Sequence, residues 1–558
     1  MKKFFKYSII IVLVVFIIYC IGSIGIQRLL VIGKESKNRI YVSFGFHANF
    51  YHSYRIDTND EAGFGKDIRI VHKIIEVLDE KNKKGIPVKG VWDIENLFTL
   101  EEILPQYAPD IIVNLKRRVK ENGDEIILMS YNNGLVSAMT RDEFMYSIKN
   151  AISNPKRSGV KDIFGTYSPY VRPQEMMVSA GNFDLYKELG IQGVVLYYSS
   201  IPFDAFRVFV DKLTLEEAHN PLLYNNPITK ETMLIVPAYN HADLIENVSI
   251  YNWVKMLRYE QLRGNIQNDV LICINSDADD SYWYGYNLPS YLKWVPNTGG
   301  LSQLIDDIAS LEYVEFTTIR DYVKHHKPVK EISFGQDTAD GSFNGYVSWA
   351  EKKYCSDYWT AAEKDRSVHK LVQSMYAYLK QDVPAKITRA LQNSFATRMR
   401  LLSTTNFGMA TPFLAKNREH VVDDIISKLQ SLTAPVIETI KSTAKEQCAH
   451  DKHKQNFKEY EYVNSVMLLQ QNNGAFVFTV PLTLEQGYDY FLQHSNTLHP
   501  VKVLSYNGMS RIFINDTILA DGVYHIVRRP HTKSQYTTRA SDSELRNNYI
   551  RMTPLQKG

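Results

Sequence analysis

A chain of 558 residues, 44% of them hydrophobic, is long enough to bury one large core and a smaller second one, which excludes a disordered protein. Its formal net charge is only +3, and Lys and Arg are scattered along the chain, so no nucleic-acid partner is predicted. The four cysteines lie far apart, without the spacing of a zinc ribbon or a redox pair. Aromatic residues make up 12% of the chain, which suits carbohydrate binding as well as ordinary core packing.

The first predicted element is an uncharged apolar run, YSIIIVLVVFIIYCIGSIGI, that follows Lys2, Lys3 and Lys6. It has about the ~20 residues that a helix needs to cross a bilayer, and a short basic N-terminus usually stays on the cytoplasmic side. We therefore predict a signal anchor over residues 1–33 of a single-pass membrane protein, with the large domain on the extracytoplasmic side. Small residues at the end of the run leave cleavage open.

Strand-like and helix-like patterns then alternate from residue 38 to residue 330. RIYVSFGFH alternates with period two, and DIRIVHKIIEVLDEKNKKG places Ile and Val residues on one helical face before Gly85. The alternation continues through IPVKGVWDIE, DEIILMSYNN, GVVLYYSS, TMLIVPAYNH, DVLICINSDADD and YVEFTTI. Strands that alternate with helices predict parallel βα units, and at this length an α/β barrel fits better than an open sheet.

The C-terminal part of the chain has different patterns. Residues 331–450 predict a helical segment that packs on the barrel. Residues 455–535 contain the strand-like stretches GAFVFTVPL, VKVLSYNG and RIFINDTILADGVYHIVRR, which predict a small β-sandwich. Residues 536–558 are polar and predict a flexible or loosely docked tail.

Polar residues stand where the predicted barrel strands end. Because βα barrels build their active sites at the carboxyl ends of the strands, these residues predict a site. Asp277, Asp279 and Asp280 are notable among them, since three carboxylates within four residues repel one another unless a ligand, a cation or a raised pKa relieves them. Read strand by strand, the polar ends are His47, Asp93 with Glu95, Ser130 with Asn132, Ser199, His241 and Asp277.

Several stretches are similar, in order and spacing, to the sequence blocks of one enzyme superfamily. In chain order they are SFGFHANFYHSYR, DEIILMSYNNGLVSAM, VRPQEMMVSAGNFDLYKELGIQGV and VLICINSDADDSYW, followed by YVSWAEKKYCSDYWTAAEKDRSVHKLV and RMRLLSTTNFGMATPFLAKNREHVVDDI. They resemble the catalytic domain of the glycoside hydrolase family 57 and family 38 superfamily. The resemblance covers roughly residues 38 to 430. It implies a seven-stranded (β/α) barrel, a retaining glycosidase or transglycosidase and a poly- or oligosaccharide substrate.

The same resemblance implies the catalytic residues. Glu175 stands in the block that holds the nucleophile, and Asp277 is the first choice for the general acid/base, with Asp279 and Asp280 as alternatives. Retaining chemistry needs two carboxyl groups roughly 5 to 5.5 Å apart, one ionised to attack the anomeric carbon and one protonated to supply the leaving oxygen. Their surroundings must push the two pKa values apart.

Further residues are then expected to contact the sugar. His47, Asp93 and His241 would bind hydroxyls or stabilise the oxocarbenium-like transition state. Aromatic faces for stacking would come from Trp92, Trp283 and Tyr131, for which core packing is the competing interpretation.

Two other functions remain open from the sequence. The first is a glycan-binding pseudoenzyme with a decayed site. The second is a metal-dependent polysaccharide deacetylase, since HANFYH places His47 near His52. Deacetylases, however, use a pair of aspartates and two histidines four residues apart on a helix, which this stretch does not offer.

No cofactor and no catalytic metal are predicted. The resemblance to family 38 implies zinc held by a His-x-Asp pair, the nucleophilic aspartate and a later histidine. The present chain has Asn49 after His47, Glu175 for the nucleophile, and Thr405 for the later histidine. Amide and hydroxyl groups are poor zinc ligands.

We therefore expect glycosidase activity to survive chelation, and metal analysis of the purified protein to find substoichiometric zinc. One zinc per chain, lost together with activity on chelation, would contradict this expectation and support the deacetylase.

Overall fold

The computed structural model describes residues 31–50, 65–201, 213–286, 288–289, 291, 295–334, 337–338, 355–404, 419–451, 459–469, 476–506, 508–514 and 519–531. The chain forms two compact units. The first is Met1–Ala362 with Ala396–Ser427, and the second is Glu363–Phe395 with Lys428–Gly558. Residues 331–450, predicted as one helical segment, are thus divided between the two units.

The first unit alternates short strands with helices. Its strands are β1 Ile40–Ala48, β2 Gly90–Ile94, β3 Glu125–Ile127, β4 Tyr170–Val171, β5 Gly193–Tyr197, β6 Leu222–Asn225, β7 Thr232–Ala238, β8 Val270–Asp277, β9 Val314–Phe316 and β10 Glu331–Ile332. A π-helix, Asn96–Ile103, follows β2. The α-helices are α1 Gly65–Lys83, α2 Leu104–Tyr107, α3 Pro109–Glu121, α4 Arg141–Ile152, α5 Val160–Phe164, α6 Ala180–Glu188, α7 Leu215–Ala218, α8 His241–Glu246, α9 Ile250–Arg263, α10 Ser281–Tyr284, α11 Gly300–Ala309 and α12 Ile319–His325.

The strands of the first unit pair mainly in parallel. β1 lies between β2 and β8, β9 pairs with the beginning of β1, and β3 pairs with β2. The second sheet has the order β10-β6-β7-β5-β4, in which only the β6–β7 pair is antiparallel. Single parallel bridges, Leu128 to Val171 and Tyr239 to Ile274, join β3 to β4 and β7 to β8. The predicted α/β class with parallel strands is confirmed.

The core of this unit follows the predicted periodicities. Strand β1 is buried on both faces, as expected for a parallel strand covered by helices, so its polar residues occupy the interior as well. Helix α1 buries one apolar stripe together with Asp67 and Lys81, and its other residues are partly or fully exposed. The residues that the sequence assigned to these two faces are all at most 5% exposed: Ile40, Val42, Phe44, Phe46, Ile70, Val71, Ile74, Ile75 and Leu78.

The second unit contains an antiparallel sheet and long helices. Its strands are β11 Glu461–Leu468, β12 Phe476–Val480, β13 Tyr488–His494, β14 Thr497–Tyr506, β15 Met509–Ile514 and β16 Gly522–Pro530, in the order β11-β16-β13-β14-β15-β12. Strand β14 pairs with β13 through its first half and with β15 through its second half. The helices α13 Cys355–Leu379, α14 Ala385–Leu401 and α15 Glu419–Asp451 each contribute residues to both units. The predicted β-rich character of residues 455–535 is confirmed, and the sandwich stays a prediction.

The predicted single-pass membrane topology requires a correction. Across the part of the chain that the structure describes, no helix combines the length and the apolarity needed to span a bilayer. The long helices α13 and α15 carry charged side chains along their length, and such side chains are costly in a bilayer. The prediction of a transmembrane signal anchor is withdrawn on this finding. The apolar run on which it was based lies within residues 1–30, which are outside the described residues.

The amino ends of the parallel strands are held by a buried ion pair. Asp124, just before β3, accepts hydrogen bonds from the backbone N–H of Gly90 at 3.1 Å and from Trp92 Nε1 at 2.9 Å. The guanidinium of Arg118, itself fully buried, donates to both oxygens of the same carboxylate at 2.9 Å. One carboxylate thus connects β2, β3 and α3.

We expect Asp124→Ala to lower the free energy of unfolding by about 3–5 kcal/mol, because it leaves the buried Arg118 cation with less compensation. Urea denaturation measures the change. The matched control is Asp110→Ala, whose carboxylate is 58% exposed and whose loss should cost less than about 1 kcal/mol. Equal losses for the two variants would contradict the assigned role of Asp124.

Candidate active site

Strand pairing alone brings together three residues that the sequence proposed for the site. In the parallel register, His47 of β1 lies opposite Asp93 of β2 on one side and opposite Asp277 of β8 on the other. His47 Nδ1 is 2.5 Å from Asp93 Oδ2, and both side chains are buried. The side chain of Asp277 is 50% exposed. A buried histidine–carboxylate pair thus stands beside an accessible carboxylate.

A buried arginine extends this group. Asn275 Nδ2 donates to Asp93 Oδ1 at 3.3 Å, and Asn275 Oδ1 accepts from Arg172 Nε at 2.7 Å. Arg172 Nη2 donates to the hydroxyl of Tyr197 at 3.2 Å and lies 3.9 Å from Asp277 Oδ1. Burial alone would lower the pKa of Arg172, but Tyr197, Asp93 and Asp277 outweigh it, and the pKa is raised. The guanidinium is therefore a fixed positive charge between the two aspartates.

Sequence reasoning missed Arg172, Asn275 and Tyr197 as site residues. Two local signals point to them. Arg172 directly follows the two-residue strand β4, and Asn275 follows five apolar residues in the buried part of β8. Room for the amide comes from Gly45 on the neighbouring strand, where an added Cβ would approach Asn275 Nδ2 to 2.5 Å. A polar residue inside a buried strand needs hydrogen-bond partners, and here they are other site residues.

Glu175, the predicted nucleophile, lies on a turn with an unusual backbone. Its φ and ψ are 53° and 27°, and Met176 has a φ of 52°, so two consecutive side-chain-bearing residues occupy the left-handed region. Each such residue costs on the order of 1 kcal/mol or more and persists only where its surroundings hold it. The Glu175 side chain is partly exposed, and Gln174 Nε2 donates to its Oε1 at 2.9 Å.

A distant threonine holds this turn. Thr338, fully buried, donates through Oγ1 to the carbonyl of Met176 at 2.5 Å and accepts from the N–H of Val178 at 3.1 Å. Its own N–H donates to the carbonyl of Val178 at 2.9 Å. These bonds fix the backbone on the C-terminal side of Glu175. The backbone next to the carboxylate-bearing residue is therefore held by buried hydrogen bonds.

Asp280, an alternative acid/base in the sequence, pairs with His241. Its Oδ2 lies 2.9 Å from His241 Nδ1, and its Oδ1 caps α10 by accepting from the N–H of Tyr282 at 2.9 Å. Burial alone would raise the pKa of Asp280, but the bonds from His241 and Tyr282 outweigh it, and the pKa is lowered. The hydrogen bond to Asp280 raises the pKa of His241. This pair favours an ionised Asp280, which does not suit a general acid.

Asp279, the other alternative, is 5% exposed. Burial first, and then the charges of Asp67 and Asp277, raise the pKa of Asp279 well above its usual range. Its side chain faces the interior. Of Asp277, Asp279 and Asp280, Asp277 has the most exposed side chain, at 50%.

The three aromatic residues proposed for stacking are buried. Trp283 Nε1 donates to the carbonyl of Asp277 at 2.8 Å, and the ring meets Phe46 edge to face with centroids 5.0 Å apart. Trp92 is fully buried, and the Tyr131 hydroxyl donates to Glu101 at 2.6 Å. Their rings pack inside the protein, as the alternative interpretation of core packing expects. Their contact with a sugar stays a prediction.

The remaining residues singled out at strand ends have local partners. Ser130 Oγ donates to the carbonyl of Gly134 at 2.9 Å, and Asn132 Nδ2 to that of Met399 at 2.7 Å. Asn49 is 5% exposed. Among the described residues, no group of three His, Cys, Asp or Glu side chains is arranged to hold a metal ion. His52 and Thr405, which entered the arguments about metal, lie outside the described residues.

In comparisons with known proteins, this chain is similar only to solved structures. No protein-family model matches the chain, and neither does any curated protein. A 4-α-glucanotransferase from Thermococcus litoralis is 15% identical, with a TM-score of 0.45 over 80% of this chain and 65% of that enzyme. A family 57 branching enzyme from Thermococcus kodakaraensis is 11% identical, with a TM-score of 0.49 over 73% and 94% of the two chains.

A polysaccharide deacetylase from Mycobacterium smegmatis is 14% identical, with a TM-score of 0.34 over 52% of this chain and 91% of that one. All three TM-scores are below 0.5. What this chain does therefore has to be inferred from its own residues.

Glu95 connects the site to the π-helix that follows β2. It is fully buried and accepts hydrogen bonds from the N–H of Phe98 at 2.9 Å and of Thr99 at 2.6 Å, which caps the helix Asn96–Ile103. Burial is the largest influence on the pKa of Glu95 and outweighs these bonds, raising it to about 8. Glu95 thus keeps its proton at neutral pH.

A proton that the folded chain holds up to about pH 8 leaves the unfolded chain near pH 4.5, the ordinary pKa of the group. The folded state therefore binds more protons between these values, and the free energy of unfolding should fall as pH rises through this window. We expect Glu95→Gln to flatten that dependence, as measured by urea denaturation at pH 5 to 8. The exposed Glu246→Gln is the control and should leave the slope unchanged. An unchanged slope in Glu95→Gln would contradict the assigned ionisation.

Proposed function

We propose that this chain is a retaining glycoside hydrolase or transglycosidase that acts on a poly- or oligosaccharide through Glu175 and Asp277. The observation that carries the proposal is the parallel register that places the exposed Asp277 beside the buried pair His47 and Asp93. Arg172 and Asn275 then link this group to the strand from which Glu175 follows. The sequence blocks that resemble the family 57 and family 38 superfamily support the same assignment.

The proposal includes the seven-stranded barrel that the resemblance implies. The strands β1, β2, β3, β4, β5, β7 and β8 are consecutive neighbours when the two single bridges are counted with the ladders. The bridge at Leu128 has backbone bonds of 2.8 and 2.9 Å, and the bridge at Tyr239 has two of 2.8 Å. Closure through these bonds would bring the carboxyl ends of all seven strands around one opening.

In the first step, the Glu175 carboxylate attacks the anomeric carbon of the bound sugar. The bond from that carbon to the leaving oxygen breaks, and its electron pair goes to the oxygen, which takes a proton from Asp277. The products are a glycosyl ester on Glu175 and a free glycan end. The fixed turn contributes by holding the attacking oxygen in place, because orientation lowers the barrier of such a step.

In the second step, Asp277 removes a proton from water or from a sugar hydroxyl. That oxygen attacks the anomeric carbon, and the ester bond to Glu175 breaks with release of the carboxylate. Water gives hydrolysis, and a hydroxyl gives transfer. In this proposal His47, held by Asp93, contacts a sugar hydroxyl, and the Arg172 guanidinium lies 3.9 Å from Asp277 Oδ1.

Replacement of the two carboxylates tests the proposal. Glu175→Gln keeps the size of the side chain and removes the attacking charge, so turnover on aryl glycosides should fall about 10³-fold or more for every leaving group. Asp277→Asn should be most harmful with poor leaving groups and should be partly rescued by azide. Initial rates and thermal unfolding are measured together. An exposed glutamate on α6, in Glu188→Gln, is the matched control.

A Glu175→Gln protein that keeps more than about a tenth of the rate would exclude Glu175 as nucleophile. A loss of stability with a mild loss of rate would instead assign Glu175 a structural role. Cleavage that is lost equally for good and poor leaving groups in Asp277→Asn would reject Asp277 as the acid.

A further inference from the structure

The exposed tyrosines of the chain are concentrated after β8. Among the described residues five tyrosines are exposed, and three of them lie within residues 284–291. Tyr284, Tyr286 and Tyr291 are 46%, 58% and 72% exposed. Large aromatic rings at the surface of a protein are costly to leave in water, so such a concentration marks a binding surface.

The base of this stretch is fixed to the candidate acid/base. Asp280 caps α10, which ends at Tyr284, and Trp283 of the same helix donates its indole N–H to the carbonyl of Asp277 at 2.8 Å. Trp283 is itself buried against Phe46 of β1. Tyr284 therefore stands on a helix whose position relative to Asp277 is set by a hydrogen bond and by core packing.

The next tyrosine is held by a narrow backbone crossing. Gly285, with a φ of 84°, lies against Gly300, where an added Cβ on Gly285 would come within 2.7 Å of the Gly300 nitrogen. The N–H of Tyr286 donates to the carbonyl of Thr298 at 2.7 Å. Because the backbone of Tyr286 is fixed, little conformational entropy is lost when its ring contacts a ligand.

We propose that Tyr284 and Tyr286 form a stacking platform for a neutral glycan chain that extends from the proposed cleavage site. This inference depends on the proposed function for the position of the chain. The ring of a tyrosine offers an apolar face to the C–H face of a sugar and a hydroxyl to its oxygens. The stretch SYWYGY over residues 281–286 has no charged side chain, and the preceding carboxylates, Asp277 and Asp280, would repel an anionic polymer.

The test is affinity electrophoresis of the full chain in native gels that contain amylose, galactomannan or alginate. Tyr284→Ala and Tyr286→Ala should each weaken retardation by one of the two neutral polymers about five- to tenfold. Tyr286→Phe should retain most of the retardation. The matched controls are Tyr107→Ala and Tyr506→Ala, which remove exposed tyrosines elsewhere and should bind like the original protein.

The outcomes separate the platform from the enzyme. Retardation that falls in Tyr284→Ala and Tyr286→Ala, with no glycoside cleaved by the original chain, would support the platform and reject the proposed function. Cleavage of glycosides by the original chain, with equal retardation of all variants, would support the proposed function and reject the platform. Retardation by alginate alone, or by none of the polymers, would overturn the platform. Size-exclusion chromatography of the two variants adds a further outcome. A changed oligomeric state with unchanged retardation would also overturn the platform, because the surface would then bind a second copy of the chain.

Discussion

The parallel pairing of β1 with β2 and β8 is the constraint on which the candidate site depends. When the register of a strand shifts by one residue, every side chain of that strand moves to the opposite face of the sheet. The observed register places His47 between Asp93 and Asp277 and gives Asn275 the space above Gly45. The apolar residues of β1 that must be buried therefore also determine which polar residues meet at its carboxyl end.

The charges at this end of the sheet are arranged around one buried cation. Arg172 is 4% exposed and lies close to two aspartates, to an amide and to a phenol hydroxyl. Burying such a cation has a large unfavourable desolvation free energy, and its contacts offset that free energy only when their geometry is good. An arrangement of this kind contributes more to orientation than to stability. Arg172 lies 3.9 Å from Asp277 and is linked to Asp93 through Asn275.

Much of the fold was predictable because it follows from hydrophobic periodicity. The alternation in β1 and the apolar face of α1 correctly indicated parallel βα units. The strand ends indicated His47, Asp93 and Asp277, which are neighbours in the register, and their role in a site stays a prediction. Arg172 and Asn275 were missed because their partners are on other strands, which a linear pattern does not show. The left-handed backbone of Glu175 could not be predicted either, because glutamate and methionine are not residue types that favour this conformation.

Other expectations depended on local features. Trp283 was expected to offer a face to a sugar; its ring packs against Phe46 on the short helix α10, and its contact with a sugar stays a prediction. Tyr284 and Tyr286 are exposed, which a pattern of aromatic residues alone does not distinguish from Trp283. The membrane-spanning interpretation was based on the length and apolarity of one run and on the lysines before it, in a segment outside the described residues.

The clamp that Thr338 places on the Glu175 turn has a consequence for the order of folding. The two sides of the Thr338–Met176 bond are 162 residues apart in sequence. Closing so long a loop is slow compared with forming a helix or an adjacent strand pair. During synthesis the parallel strands leave the ribosome first, and the backbone of the turn acquires its clamp only after Thr338 has emerged. The backbone geometry of the Glu175 turn therefore depends on a residue that is synthesised long after the turn itself.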